Sequence, residues 1–201
     1  MQKLWRFPAV CSLLLLWQPA LAQYHADQQA LLEEIHTLEH NGHFGRMLAL
    51  VNHQEAQSGT DYWFRLQYYK VTAQRQLGQF EQAEATLMAT QMIGKAPLGT
   101  NAQLLKLEQA RLWLDVGNLK GAQSQMLKIS EAETLNDSVK RLALPTMFEL
   151  WWQTGELAKH RDELEQWHQH TDNGCPSDAA AYAQAYLIKL GLKTGDYTLA
   201  Q

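Results

Sequence analysis

The chain contains little cysteine, which limits both its possible cross-links and its possible chemistry. Only Cys11 and Cys175 occur among its 201 residues. Cys11 lies in an N-terminal segment that has the features of a secretory signal, so Cys175 alone would remain after cleavage. We therefore expect no disulfide bond within the mature chain. Cys175 lies in a loop of turn-forming residues, 171–176, as a free thiol or as a site for pairing with another molecule.

Long apolar segments and a net positive charge are also lacking. Beyond the N-terminal segment, every stretch of about 18 residues contains a charge, so the sequence predicts no stable membrane insertion. The formal net charge is −4 at pH 7, and loss of Lys3 and Arg6 with the signal would change it to −6. Because binding to phosphates requires a concentrated positive field, we expect no nucleic-acid partner.

Recognisable catalytic and metal-binding motifs are absent as well. The sequence contains no HExxH motif, and a nucleophile such as Cys175 would need an orienting group and an oxyanion hole. We expect no enzymatic activity, no cofactor and no metal. His36, His40 and His43 have a spacing that can place two imidazoles on one helix face, so a histidine-based metal-binding protein remains an alternative. Solvated histidines near a helix end are the simpler interpretation.

The first 22 residues have the three parts of a secretory signal peptide. Lys3 and Arg6 precede an apolar run at residues 9–17, and residues 20–22 form an Ala-Leu-Ala cleavage site. The apolar run is too short to span a membrane. The sequence therefore predicts a signal peptide at 1–22 and an exported mature domain at 23–201, with the periplasm as the expected destination.

Five glycines recur along the chain at nearly even spacing. Successive glycines are 36, 39, 38 and 40 residues apart, a spacing typical of one helix–turn–helix unit per repeat. An apolar residue lies seven positions before each glycine and another lies two positions after it. The position five after each glycine is usually small, although His160 occupies it in the fourth unit. The glycines are Gly42, Gly78, Gly117, Gly155 and Gly195.

The repeat predicts five units at residues 27–60, 61–98, 101–137, 139–173 and 177–201, the last of them incomplete. In the fourth unit, Leu144, Phe148 and Trp151 lie on one helix face, and Pro145 is expected within the first turn of that helix. Ser177 or Asp178 is expected to cap the first helix of the fifth unit. An irregular all-helical domain is the simpler alternative, because helical periodicity alone fits both.

Two of the turns carry a more specific pattern. Residues 78–83 and 195–200 both match Gly-x-aromatic-x-x-Ala. The chain thereby resembles the tetratricopeptide repeat family, with degenerate repeats, over residues 27 to 201. It departs from the family pattern in its longer spacing, and in Gln74 and Gly191, which occupy a position where a large residue is expected. The resemblance implies an all-α fold, a right-handed α-solenoid of about five antiparallel helical hairpins.

The resemblance also implies a concave groove, lined by the first helix of each unit, that binds an extended or helical segment of a partner. With each glycine as the fifteenth residue of its unit, positions 2, 5, 6, 9, 12 and 13 should face this groove. We call these the groove positions. The residues expected to bind the partner are Arg65, Tyr68, Tyr69, Thr72, Arg75 and Gln76 in unit two, Arg111 in unit three and Trp152 in unit four. The same register includes Glu39 and His40 in unit one, Glu108 and Asp115 in unit three, Glu149 in unit four, and Tyr182, Tyr186, Lys189 and Lys193 in unit five.

These features together predict an exported scaffold that binds a partner protein or peptide non-covalently, for example in the assembly of an envelope complex. The expected ligand is a short polar and aromatic segment. One alternative is that the chain is the N-terminal extracytoplasmic sensory or interaction domain of a longer receptor or secretion component. Self-association through the incomplete C-terminal hairpin is a further expectation.

Overall fold

The computed structural model describes residues 11–93, 99–131, 136–172 and 175–196. In these residues the regular secondary structure is helical apart from one short antiparallel pairing of two strands, β1 (Thr171–Asp172) and β2 (Cys175–Pro176). The prediction of an all-helical chain is thus confirmed in its main feature. The helices are α1 (Cys11–His40), α2 (Phe44–Asn52), α3 (Asp61–Gln76), α4 (Phe80–Met92), α5 (Gly99–Asp115), α6 (Leu119–Ser130), α7 (Asp137–Thr154), a 3₁₀ helix (Leu157–His160), α8 (Arg161–His168) and α9 (Asp178–Thr194).

All five repeated glycines end a helix in the same way. They lie one or two residues after the last residue of α1, α3, α5, α7 and α9, and each has a φ between 70° and 78°. At every one of them, the N–H of the following residue donates to the carbonyl four residues before the glycine, over 2.7–3.0 Å. This is the Schellman arrangement, which satisfies the last carbonyls of the helix and requires a left-handed residue. The even spacing in the sequence therefore corresponds to five equivalent helix ends.

The position five after the glycine is closely packed in the first three units. Met47, Ala83 and Ala122 are completely buried there, one turn into α2, α4 and α6. In the fourth unit the polar His160 occupies this position and is only partly buried. Its ring instead stacks parallel on Trp151, with 3.8 Å between the ring centroids. The chain forms a 3₁₀ turn up to His160, and α8 begins only at Arg161.

Pro145 corrects one expectation, because it lies in the interior of α7 and not in its first turn. The helix begins earlier than predicted, at Asp137, where the Asn136 side chain accepts a hydrogen bond from the Ser138 N–H. A proline within a helix removes one backbone hydrogen bond and crowds the preceding turn. Close to this turn, the Arg111 Nη2 of the neighbouring helix α5 donates to the carbonyl of Leu142 over 2.5 Å.

Helices pack on their neighbours in chain order and also on the next helix but one. Consecutive helices contact each other from α1 to α7, the 3₁₀ helix contacts both α7 and α8, and α8 contacts α9. Contacts also join α1 to α3, α3 to α5, α5 to α7 and α7 to α9. The buried apolar side chains form three clusters that follow the same order, the first centred on α1–α5, the next on α5–α7 and the last on α7–α9. The helices that end at the repeated glycines therefore lie side by side.

Three sequence predictions fall wholly or partly outside this description. The second helix expected after Gly195, from Tyr197 to Gln201, lies outside the described residues, as does most of the linker between units two and three, at 94–98. The predicted signal segment is described only from Cys11, which begins α1. Among the helices that are described, none is long and apolar enough to cross a membrane.

Candidate binding cleft

A cleft of about 740 Å³ lies where α3, α5, α7 and α9 approach one another. It crosses these helices obliquely, along the C-terminal ends of α3 and α5 and the N-terminal halves of α7 and α9. His40, from the end of α1, borders it as well. Its volume is within the range of pockets that hold small ligands. The lining is His40, Arg75, Gln76, Arg111, Leu114, Asp115, Arg141, Leu142, Pro145, Thr146, Trp167, His170, Ser177, Asp178, Ala179, Ala181 and Tyr182.

Three of the eight residues predicted to bind a partner line this cleft: Arg75, Gln76 and Arg111. Gln76 is exposed at the end of α3. The side chains of Arg75 and Arg111 are only 10% and 17% exposed, because both reach across to the neighbouring helix. Gln76 is therefore the most accessible of the three.

Tyr68, Tyr69 and Thr72 lie outside the cleft and are buried in the first core cluster or beside it. The Tyr68 hydroxyl donates to the Glu39 carboxylate over 3.2 Å and so links α3 to α1. Burial raises the pKa of this hydroxyl far above its ordinary value, and the charges of Glu108 and Glu39 raise it further. Thr72 donates to the carbonyl of Tyr68 in its own helix. These side chains contribute mainly to packing between α1 and α3.

Arg65 and Trp152 are partly buried and also lie outside the cleft. Burial and the charge of Glu39 raise the pKa of the Tyr69 hydroxyl, and the neighbouring Arg65 opposes this shift. The ammonium groups of Lys189 and Lys193 lie 5.6 and 5.1 Å from the centre of the Trp152 ring. Such cation–π contacts join α7 to α9 and cover part of the indole.

Side chains at groove positions also form polar contacts between successive helices of the series α1, α3, α5, α7 and α9. The pairs are Glu39–Tyr68 between α1 and α3, Arg75–Glu108 between α3 and α5, Arg111–Thr146 between α5 and α7, and Glu149–Tyr186 between α7 and α9. In three of the four pairs, the residue on the later helix lies nine positions before its glycine. We call these the interhelical polar contacts. They fix the spacing of the helices that border the cleft.

Glu108 is the centre of this arrangement and is completely buried. Its two carboxylate oxygens accept from the Arg75 Nε at 3.0 Å and from the Arg111 Nη1 at 2.6 Å. Arg75 also pairs with Asp115 at 2.8 Å. Burial alone would raise the pKa of Glu108, but the charges and hydrogen bonds of Arg111 and Arg75 outweigh it and hold the pKa below its ordinary value.

The sequence places Glu108 at a groove position but does not reveal that it is buried. A signal was present in the spacing of charges. Arg111 follows Glu108 by three residues on one helix face, and Arg75 has the position three before the glycine in the preceding unit. This spacing allows a glutamate to bridge the two arginines, but it gives no indication of burial. Trp167 and His170, which also line the cleft, follow no repeat position.

Of the histidines considered for metal binding, His36 contacts a carboxylate of its own helix. His36 Nδ1 lies 3.4 Å from the Glu39 carboxylate, on an exposed part of α1. Within the residues that the structure describes, no group of three or more His, Cys, Asp or Glu side chains is arranged to hold a metal ion.

Comparison with known proteins gives no further assignment. No family model, no curated protein and no solved structure matches this chain.

Proposed function

We propose that this chain is a tetratricopeptide-like, right-handed α-solenoid that binds a segment of a partner protein non-covalently in the cleft. Two features of the fold support the proposal. Five Schellman turns recur with nearly even spacing, and each helix that ends in such a turn contacts the next one of its kind. This is the arrangement expected when helical hairpins stack in one direction and leave their first helices on a common side.

The observation that carries the proposal is the composition of the cleft. Every one of the five predicted units contributes at least one groove position to its lining: His40, Arg75, Leu114, Pro145 and Tyr182 are examples from units one to five. The register that the resemblance implies thus supplies residues from all five units to the lining of one cleft, although five of the eight residues predicted to bind a partner lie outside it. Concave surfaces that combine apolar, aromatic and polar side chains are the usual places for ligand recognition.

The interhelical polar contacts would make this surface a preorganised one. Arg75 and Arg111 are held by Glu108 in fixed positions, so little side-chain freedom is lost there when a ligand binds. Gln76 and Tyr182 remain exposed and can adapt to the ligand. The proposal is of a binding protein, in which no covalent step takes place. Export through the signal peptide, a periplasmic location and a place in an envelope complex belong to the same proposal.

Affinity capture with matched variants tests the proposal. The bait is the chain itself, the double variant Gln76→Ala/Tyr182→Ala, and the control Met88→Ala/Leu127→Ala, which removes exposed side chains of α4 and α6 away from the cleft. We expect one partner to be retained by the chain and by the control and to be lost from the cleft variant. Equal retention by all three folded baits would contradict a binding role for the cleft.

The export part of the proposal has its own test. Cells that express the full chain are fractionated, and the mass and N-terminal sequence of the protein are determined. We expect a processed chain that begins at Gln23 and is released with the periplasmic fraction. An unprocessed chain in the cytoplasm would contradict export.

A further inference from the structure

The charges of the cleft balance one another. When the buried Glu108 is counted with the lining, three cations are matched by three anions, so the cleft has no net formal charge while the whole chain carries −4. Three ion pairs, Arg75–Glu108, Arg75–Asp115 and Arg111–Glu108, account for most of these groups. Arg141 also interacts with another part of the chain and is not a free charge. The cations are Arg75, Arg111 and Arg141, and the anions are Asp115 and Asp178 in the lining and Glu108 directly behind it.

Apolar side chains are nevertheless exposed within the cleft. Leu142 on α7 is 43% exposed and Tyr182 on α9 is 49% exposed, and both lie in the lining. Pro145 lies one turn after Leu142 on the same helix face, and the small Ala179 lies one turn before Tyr182. We call Leu142, Pro145 and Tyr182 the apolar seat. Exposed apolar side chains on a concave surface are typical of an interaction site.

Uncharged hydrogen-bonding groups complete the lining. The exposed Gln76 amide carries both donors and an acceptor, which matches the N–H and C=O groups of an extended peptide backbone. The hydroxyl of Thr146 already accepts from Arg111. The Gln76 amide is therefore an accessible uncharged hydrogen-bonding group of the cleft, and the charges of Arg75, Arg111 and Asp115 are already paired.

Building on the proposed function, we infer that the cleft selects an extended, uncharged segment of a partner protein with an aromatic or branched apolar side chain that packs in the apolar seat. An acidic segment would meet Asp115 and Asp178, and a basic one would meet Arg75 and Arg111. Either would bring a charge beside groups whose formal charges already balance, without supplying a missing counter-charge. An uncharged segment avoids this cost and still buries apolar surface against Leu142 and Tyr182.

Selection from random linear peptides displayed on phage, followed by titration of the enriched sequences as synthetic capped peptides, tests this inference on the whole chain. We expect peptides with a net charge near zero and an aromatic or branched apolar residue. Their affinity should change less than about twofold between about 0.05 and about 0.5 M NaCl, because no net charge is involved.

Variants locate the binding. Leu142→Ala and Tyr182→Ala, made singly, should each weaken the peptide affinity by about tenfold, as expected for a central anchor contact. Leu127→Ala, at an exposed site on α6, should leave it unchanged. Both cleft side chains are partly solvent-exposed, and far-UV circular dichroism verifies that each variant retains its helices.

The possible outcomes separate this inference from the proposed function. Enrichment of acidic or basic peptides that bind with a steep salt dependence, and that still need Leu142 and Tyr182, would overturn the inferred selectivity and leave the cleft as a peptide site. Absence of any enriched peptide, or peptides that bind the two cleft variants as well as the chain, would contradict the cleft as a peptide site and the proposed function with it.

Discussion

Replacement of the buried glutamate is the perturbation whose cost follows most directly from the structure. Glu108→Ala would remove the carboxylate that Arg75 and Arg111 share and leave two guanidinium groups facing an apolar gap. Because these side chains are 10% and 17% exposed, water can hydrate them only in part. A buried charge that loses its partner is strongly destabilising.

The expected loss in unfolding free energy is about 3 kcal/mol, the lower part of the range for breaking a buried ion pair. The lower part applies because both cations keep other partners. Arg75 keeps Asp115 at 2.8 Å, and Arg111 keeps the Thr146 hydroxyl at 3.0 Å. Such a loss is a large fraction of the total stability of an ordinary domain.

Urea unfolding followed by circular dichroism measures this loss, with Glu156→Ala as the control. Glu156 pairs with Lys159 on the surface, where the lysine side chain is 72% exposed, and such pairs contribute less than about 1 kcal/mol. If Glu108→Ala cost no more than the control, Glu108 could not be a buried bridge between α3 and α5, and the account of the cleft as a preorganised surface would be refuted.

Two further predictions concern pH and the repeat turns. Because the pKa of Glu108 is lowered by folding, the folded chain binds fewer protons than the unfolded chain at a pH below the ordinary value of 4.5. The difference in unfolding free energy between the chain and Glu108→Gln should therefore shrink as the pH falls below 4.5. A difference that stays constant in urea unfolding from about pH 7 to about pH 3 would contradict the lowered pKa. Gly117→Ala, at φ +78°, should cost about 1–2 kcal/mol, because it places a side chain in a left-handed conformation. Gly45→Ala, within α2 and with no atom near its added methyl group, should stabilise the chain by about 0.5–1 kcal/mol. If Gly117→Ala and Gly45→Ala changed the thermal unfolding temperature in the same direction, the contrast between a left-handed helix end and a helical glycine would be contradicted.

The helix ends could be predicted from the sequence because they depend on local chemistry. A glycine at a fixed place after an apolar helical stripe identifies a left-handed helix end without knowledge of any distant residue, and Gly42 to Gly195 behave in this way. The N-cap at Ser177 is also local, since its hydroxyl accepts from the Ala180 N–H three residues later. The small residues Ala83 and Ala122 recur at one repeat position, which indicates close packing there, and both are completely buried.

The rest depends on pairs of residues that are distant in the chain. Pro145 lies inside α7, and near it the Leu142 carbonyl accepts from Arg111 of α5, a contact that neither helix alone predicts. Tyr68 is at a groove position, yet the contact with Glu39 and the surrounding core bury it. Helical periodicity gives the face on which a side chain lies, but the depth of that face depends on the neighbouring helix. The oblique course of the cleft is a tertiary property of the same kind.

The central claim, that a partner occupies the cleft, is tested most directly by photo-crosslinking in living cells. The photoreactive amino acid benzoylphenylalanine is placed singly at Gln76 and at Tyr182, and at Leu127 on α6 as the control position. The account predicts that both cleft positions give the same crosslinked species and that the control position does not. Crosslinks to that species from Leu127 alone, or equally from all three positions, would contradict binding in the cleft.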